Sequence, residues 1–218
     1  DYRVSFFTPT EELPFAGHPT LGSAYAWLIH GGTPRSDKTI VQECKVGLIN
    51  VQRDGNSLSF AAPSLLRGGP VEESLVVEAA ASLGIDRRAI VDSAWIDNGP
   101  GWLGIQLGSA EQVLAIKPQK TNLTLGVVGA YPAGSQYAYE VRAFYSSSGI
   151  TVEDPVTGSL NASLAQWLIG EGRFTPPYLA SQGLAMGHAG EIQVSMDEWK
   201  QVWIGGAVTA CIRGTVEI

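Results

Sequence analysis

Positive charge and long apolar runs are both scarce in this sequence. Its 218 residues contain 14 lysines and arginines against 21 aspartates and glutamates, a net charge of −7. Nucleic-acid binding needs clustered Lys and Arg to neutralise phosphates. A membrane-spanning helix needs a run of roughly 18 apolar residues, and no run approaches that length. We therefore expect neither a nucleic-acid partner nor a membrane partner.

Cysteine is nearly absent, with 2 residues in the chain. Cys44 and Cys211 stand far apart and lack the spacing of a metal site. The first residues also lack the charged, apolar and small-residue pattern of a secretory leader. We interpret the two cysteines as reduced core thiols of a cytoplasmic protein, and we expect no metal and no organic cofactor.

Apolar residues and turn formers are abundant. Hydrophobic residues make up 44% of the chain, enough for one large core or two small ones, and 26 glycines with 12 prolines indicate many turns. Many strand patterns and few helices, without regular alternation, predict an α+β fold. We predict a linker over 63–70 and helices over 20–30, 75–83 and 159–169. The predicted strands are 3–7, 39–44, 47–52, 57–61, 94–97, 102–107, 113–116, 137–145, 178–181, 191–195, 201–204 and 207–212.

Residues 152–168, V-E-D-P-V-T-G-S-L-N-A-S-L-A-Q-W-L, carry the most chemistry. Glu153 and Asp154 precede a proline, and Thr157, Gly158 and Ser159 can each cap a helix start. The free N–H groups of such a start can bind an anion, for example a substrate carboxylate. An ordinary capped helix is the more frequent outcome for these residue types alone.

A second copy of this pattern changes that interpretation. Residues 14–28 read P-F-A-G-H-P-T-L-G-S-A-Y-A-W-L, and residues 155–168 read P-V-T-G-S-L-N-A-S-L-A-Q-W-L. Each has a proline, a glycine three residues later and an apolar segment that closes on Trp-Leu. Internal repetition predicts two related units. Two such helix starts that face each other would form one polar pocket.

Two segments resemble the signature sequences of the PhzF-like isomerase family of phenazine biosynthesis. They are F-T-P-T-E-E-L-P-F-A-G-H-P-T-L-G and G-I-T-V-E-D-P-V-T-G-S, and W-L-G-I-Q-L, E-V-R-A-F-Y and Y-L-A-S-Q-G extend the resemblance to the C-terminal region. It implies the diaminopimelate epimerase fold: two pseudo-symmetric barrel-like domains, each wrapped on a central helix, with the active site in the cleft between them. The first domain would be 1–65, joined by 206–218, and the second 66–205.

The resemblance also implies the site residues. A lone histidine is more often structural than catalytic, but His18 matches the family's active-site histidine, which guides protons. Asp154 would hold a substrate amine or orient His18, and Ser159 would bond the substrate. Gly17 and Gly158 would bind substrate through main-chain N–H groups that no Cβ obstructs. We expect His18 and Asp154 to approach within about 10 Å of each other.

Three further polar residues have weaker interpretations. His30 stands at a predicted helix end, where it would interact with the helix dipole. His188 is interpreted as a surface or structural residue. Glu12 matches a second common glutamate of the family, and the sequence indicates no role for it.

The implied activity is cofactor-independent proton transfer within a small amine-bearing unsaturated or cyclic carboxylate, by a homodimer. The glutamate that moves the proton in the family lies upstream of residues matched here, so we expect an N-terminally incomplete chain with little isomerase activity. One alternative is a catalytically silent small-molecule-binding protein of the same fold. Another is an amino-acid epimerase or racemase, although Gly17 and Ser159 occupy the positions of the two cysteines that those enzymes use.

Overall fold

The computed structural model describes residues 1–8, 12–55 and 57–215. Its contacts divide the chain into two compact units, Asp1–Ala61 with Gly205–Ile218, and Ala62–Ile204. The residues Pro9, Thr10 and Glu11 of the first signature, Asn56 of the predicted hairpin turn and residues 216–218 of the predicted C-terminal strand region lie outside the described residues. No helix in the described ranges is long and apolar enough to cross a membrane.

The first unit is a small sheet with one long helix. Helix α1 (Gly17–Ile29) contacts strands β4 and β6, in which alternate residues are buried, as expected for a sheet with one covered face. Strand β1 pairs with β4 in parallel, the β4–β5–β6 strands form an antiparallel meander, and β2 pairs with β3 separately. The strands are β1 (Tyr2–Arg3), β2 (Phe6–Phe7), β3 (Glu12–Leu13), β4 (Thr39–Cys44), β5 (Gly47–Asp54) and β6 (Ser57–Ala61).

The second unit is a larger mixed sheet with three α-helices in its described residues. Its strand order is β15-β14-β13-β11-β10-β9-β8-β7, with β12 paired to β11. The β9–β10 and β11–β13 pairs are parallel. The elements are β7 (Arg67–Pro70), α2 (Glu73–Leu83), β8 (Ile90–Asp97), β9 (Leu103–Leu107), α3 (Ala110–Leu114), β10 (Leu125–Ala130), β11 (Tyr139–Ser147), β12 (Ile150–Asp154), α4 (Gly158–Gly170), β13 (Tyr178–Gln182), β14 (Gly190–Met196) and β15 (Val202–Ala207).

The two faces of this sheet are covered by different helices. Val127 and Phe144 belong to a buried apolar cluster with residues of α2 and α3. Gly126 points to the opposite face, where α4 packs so closely that a Cβ on this glycine would lie 2.1 Å from Leu160 Cδ1. A Cβ on Gly104 would lie 3.0 Å from the Trp167 ring in the same way. Alternation of side chains across the strands therefore separates an α2/α3 face from an α4 face.

Most predicted elements are present, and five expectations are wrong. The strand predicted over 3–7 is divided into β1, which pairs with β4, and β2, which pairs with β3. Val113 lies in helix α3 rather than a strand, because Ser109 caps that helix start by accepting the N–H of Gln112 at 3.3 Å. Residues 67–70 of the predicted linker form β7, which pairs with β8. The last strand ends at Ala207, so the strand predicted over 207–212 does not form. Cys44 is buried as expected, but Cys211 is exposed, although both are free thiols.

The strand β10 was missed by the sequence patterns. It reads L-G-V-V-G-A, and five of its six residues are buried. Buried strands read as near-continuous apolar runs without alternation, and the two glycines weakened the strand pattern further. The contact-based units have boundaries at 61/62 and 204/205. The domain boundaries at 65/66 and 205/206 stay a prediction.

Candidate active site

The start of α4 is the centre of the candidate site in the second unit. Gly158 is the first helical residue and Ser159 the second, and Thr157 occupies the N-cap position without a side-chain cap hydrogen bond. The first N–H groups of a helix have no partner within the helix, so an uncapped start leaves them available to an anion. The helix start expected from the sequence is therefore present and has no side-chain cap.

The two adjacent carboxylates of the motif have separate surroundings. Asp154 pairs with Ala143 and Glu153 with Phe144 across β11 and β12, so the two side chains point to opposite faces of the sheet. Glu153 accepts two hydrogen bonds from the Arg142 guanidinium, at 2.8 and 2.7 Å, on the α2/α3 face. Glu153 is thus a structural ion-pair partner, and Asp154 is the carboxylate on the α4 face.

Asp154 is held by the loop that leads into α4. The Thr157 hydroxyl donates to Asp154 Oδ2 at 2.7 Å. Gln182, at the end of β13, donates from Nε2 to the Asp154 carbonyl oxygen and to Thr157 Oγ1, both at 2.9 Å. The carboxylate therefore has a defined position before any ligand binds.

Ser159 is held from the turn between β8 and β9. The indole N–H of Trp102 donates to Ser159 Oγ at 3.0 Å, and Asn98 Nδ2 donates to the Ser159 carbonyl oxygen at 2.9 Å. An indole N–H can only donate. The Ser159 oxygen therefore accepts from Trp102, and its own proton remains available for an acceptor on a ligand.

The start of α1 is the corresponding part of the first unit. Gly17 and His18 are its first two helical residues, and Ala16 occupies the N-cap position without a side-chain cap hydrogen bond. Gly17 is buried and His18 is exposed. Both α1 and α4 are 13 residues long and begin with glycine, which agrees with the internal repeat.

The five predicted site residues fall into two groups. Asp154, Gly158 and Ser159 lie together in the second unit, and Gly17 and His18 lie together in the first. The expected approach of His18 to Asp154 joins the two units and stays a prediction. Of the other residues, His30 follows the last residue of α1, His188 is exposed, and Glu12 lies 3.8 Å from Lys45 in an ion pair.

Three residues that support the site were not singled out from the sequence. Gln182 lies within Y-L-A-S-Q-G and Trp102 within W-L-G-I-Q-L, both segments of the family resemblance, while Asn98 lies in a turn with no pattern of its own. Trp102 stands 57 residues before Ser159 in the chain, and Gln182 stands 25 residues after Thr157. Local periodicity carries no signal for contacts of that separation.

Burial perturbs the pKa of several titratable side chains of the second unit, among them Glu140, Tyr131 and Tyr178. Burial raises the pKa of Glu140, whose Oε2 accepts a hydrogen bond from the Tyr131 hydroxyl at 2.9 Å. Burial also raises the pKa of Tyr131 and of Tyr178 to about 12. No group of three His, Cys, Asp or Glu side chains in the described ranges is arranged to hold a metal ion.

The α+β organisation, with two compact units that each contain a helix beginning with glycine, agrees with the expected diaminopimelate epimerase fold. A family model described as phenazine biosynthesis-like protein, PhzC-PhzF, matches residues 1–214. The chain therefore belongs to the PhzF-like family, as the signature segments indicated.

Individual relatives agree with this assignment. The chain is 34% identical to antisense-enhancing sequence 1 of Schizosaccharomyces pombe, over 98% of this chain and 79% of that protein. It is 28% identical to the trans-2,3-dihydro-3-hydroxyanthranilate isomerase of Pseudomonas fluorescens, over 99% of this chain and 79% of that protein. A crystal structure of a PhzC/PhzF protein from Clostridium difficile has a TM-score of 0.73 and 24% identity, covering 99% of this chain and 78% of that one, and it confirms the expected fold.

Proposed function

We propose that this protein is an isomerase that moves a proton within a small, amine-bearing, unsaturated or cyclic carboxylate. The observation that carries the proposal is the direction of the hydrogen bonds at the start of α4, which leaves one donor and one acceptor for a ligand. Ser159 has a proton to donate because Trp102 occupies its oxygen, and Asp154 is a carboxylate that can accept. A ligand that presents both an acceptor and a donor matches this pair.

The chemistry of each group follows from this polarity. The substrate carboxylate binds the uncapped N–H groups of α4 and the Ser159 hydroxyl, and Gly158 allows close approach because it has no Cβ. The substrate amine binds Asp154. A substrate held at both ends keeps the same orientation while a proton leaves one carbon and returns to another, a transfer with no net change in atoms or electrons.

His18 and Gly17 are proposed to act on the same substrate from the first unit. His18 supplies an imidazole at that helix start, and an imidazole can accept a proton at one ring nitrogen and donate one from the other. Gly17 would contribute a main-chain N–H group to substrate binding. The alignment of His18 and Ser159 at the second position of their helices supports an equivalent placement in the two repeats.

The substrate named for the Pseudomonas fluorescens relative provides the test compound. Trans-2,3-dihydro-3-hydroxyanthranilate carries a carboxylate, an amine and a hydroxyl on an unsaturated ring. We expect only slow isomerisation of this compound, followed by proton NMR in D2O, where solvent deuterium enters at the new carbon position. Turnover should fall by about 10²–10⁴-fold in His18→Ala, the proposed proton-transfer residue. It should also fall in Asp154→Asn and Ser159→Ala, because the substrate loses a binding group at one end.

A matched control separates these effects from general damage. Ser147→Ala removes an exposed hydroxyl at the end of β11, outside the site, and should leave turnover unchanged. Tight binding of the stable aromatic analogue 3-hydroxyanthranilate without any turnover would instead identify a small-molecule-binding protein. Deuterium exchange at the α-carbon of free amino acids would favour a racemase.

We further propose a cytoplasmic homodimer on the basis of the family resemblance. The two free thiols support a reducing compartment. Light scattering at micromolar concentration should give twice the chain mass of 23.1 kDa. A monomer at that concentration would remove the dimer from the proposal.

A further inference from the structure

Gln182 makes an unusually complete set of hydrogen bonds. It is fully buried at the end of β13. Its Oε1 accepts from the Thr157 N–H at 3.0 Å and from Asn161 Nδ2 at 2.7 Å. Its Nε2 donates to the Asp154 carbonyl oxygen and to Thr157 Oγ1, both at 2.9 Å. All four bonds go to the loop and the first turns of α4.

The orientation of this amide follows from its main-chain partners. The Thr157 N–H can only donate, so the atom that faces it is the Gln182 oxygen. The Asp154 carbonyl can only accept, so the atom that faces it is the Gln182 nitrogen. Exchanging the two amide atoms would place like groups against each other at both positions.

This orientation decides the direction of the Thr157 hydroxyl. Because Gln182 Nε2 donates to Thr157 Oγ1, the single hydroxyl proton is not needed there and points to Asp154 Oδ2, 2.7 Å away. The Asp154 carboxylate thus receives a hydrogen bond on one oxygen. Its other oxygen has no hydrogen-bond partner among the residues that the structure describes, and it can accept from a ligand.

Close backbone packing keeps Gln182 in place against the loop. A Cβ on Gly183 would lie 2.7 Å from the Pro155 carbonyl oxygen, and a Cβ on Gly190 would lie 2.5 Å from Val156 Cγ2. The end of β13 and the start of β14 therefore pack closely against the segment between Asp154 and Thr157. A glycine at each position is what permits this approach.

We propose that Gln182 is a positioning residue that acts through Thr157 to present Asp154 as a hydrogen-bond acceptor for the amine of the substrate. The inference rests on the proposed function, in which Asp154 binds that amine. Its hydrogen-bond relay, Gln182 to Thr157 to Asp154, is a property of the protein alone and can be tested without substrate.

The first experiment measures the relay by NMR of the free protein. The two Nε2 protons of Gln182 give separate signals, identified by their loss in Gln182→Glu. In Thr157→Val the proton bonded to Thr157 should move upfield, while its geminal partner, bonded to the Asp154 carbonyl, should move much less. Thr157→Ser, which restores the hydroxyl, should restore the shift. The proposal would be overturned if this proton had the same chemical shift in the unsubstituted protein and in Thr157→Val.

The second experiment measures its consequence for ligands. Gln182→Glu replaces the donating nitrogen by an oxygen, which would draw the Thr157 proton away from Asp154. Affinity for 3-hydroxyanthranilate, measured by calorimetry, should fall about ten- to a hundredfold, the range of one hydrogen bond to a charged group. Affinity for 3-hydroxybenzoate, which lacks the amine, should change less than threefold.

Gln201→Glu is the matched control. Gln201 Nε2 also donates two hydrogen bonds to main-chain carbonyls, those of Ala62 and Val202, and neither bond goes to the loop before α4. The Gln201→Glu variant should leave the affinities for both ligands unchanged. An equal loss in the two Glu variants, or an equal loss for both ligands, would contradict the proposal. If the protein binds neither compound and isomerises no test substrate, the proposed function fails, and the NMR result alone decides the relay.

Discussion

The two repeat helices have similar sequences but different surroundings. In α4, eight of 13 residues are buried, whereas α1 has four buried residues of 13. Ile29 of α1 is 41% exposed, while Leu160, Leu164 and Leu168 of α4 are completely buried. An apolar surface around most of a helix predicts burial. That expectation is confirmed for α4, whereas α1 is covered on part of its surface only.

The same difference extends to the helix starts. Ser159 is held by Trp102 and Asn98, and Asp154 by Thr157, all from the second unit. His18 is exposed at the corresponding position of the first unit. A site functions best when neighbouring side chains fix its geometry in advance. The second unit fixes its part of the candidate site with its own residues. Matched substitutions in the two units test this comparison.

The largest difference should appear when a leucine is shortened in each helix. Leu164→Ala in α4 removes a fully buried side chain and should cost about 2–5 kcal/mol of unfolding free energy. Leu28→Ala in α1 truncates a partly exposed side chain and should cost about 1 kcal/mol. Urea unfolding measures both. Equal losses would mean that the two helices are equally enclosed.

A second pair of variants adds a methyl group beside each helix. Gly126→Ala places a Cβ against Leu160 in the packed interior and should cost about 1–3 kcal/mol. Gly22→Ala lies in α1, where no described atom other than the adjacent helix backbone comes within 4 Å of the new Cβ, so it should stabilise the protein by about 0.5–1 kcal/mol through helix propensity. Thermal unfolding should therefore shift in opposite directions. A loss in Gly22→Ala would show that this side of α1 is covered.

A third prediction concerns the indole that holds Ser159. Trp102→Phe keeps an aromatic ring but removes the donor, so the Ser159 hydroxyl can turn, and affinity for 3-hydroxyanthranilate should fall about tenfold. Trp95→Phe is the control, because the Trp95 indole N–H is buried without a partner among the described residues. In Ser159→Ala the Trp102 effect should disappear. A full Trp102 effect in the absence of the hydroxyl would contradict the assignment.

The smallest effect should be on the pH dependence of stability. Burial raises the pKa of Glu140 in the folded protein, so the folded state binds more protons than the unfolded state between the unfolded and folded pKa values. Its contribution to stability is therefore present below the unfolded pKa, near 4.5, and is lost as pH rises through the folded pKa. The buried polar residue Gln42 of the first unit has no ionisable group, so it contributes no such pH dependence.

Glu140→Gln should reduce the loss of stability with rising pH, and it should raise the melting temperature relative to the original protein at neutral pH. The Tyr131 hydroxyl can still donate to the new amide oxygen. Melting temperatures measured from pH 4 to 8 provide the test. An unchanged slope would assign the pH dependence to other groups.

The sequence predicted local elements well where one periodic pattern dominated. Strand β4 has the predicted bounds because Ile40, Gln42 and Cys44 alternate with outward-facing residues. The start of α4 was predicted to within one residue from Thr157, Gly158 and Ser159, whereas α1 begins at Gly17, three residues before the predicted start at residue 20. Patterns failed where burial removes alternation, as in β10, or where a short helix carries a strand-like run, as around Val113.

The sequence by itself determined the family, the α+β class and the residues at the two helix starts, because these depend on adjacent residues. Tertiary structure alone decided that Glu153 and Asp154 diverge, since strand pairing with β11 sends neighbouring side chains to opposite faces. It also brought Trp102 to Ser159 and Gln182 to Thr157 from distant parts of the chain. Hydrogen bonds between distant strands depend on sheet order and register, which no local pattern of residues encodes.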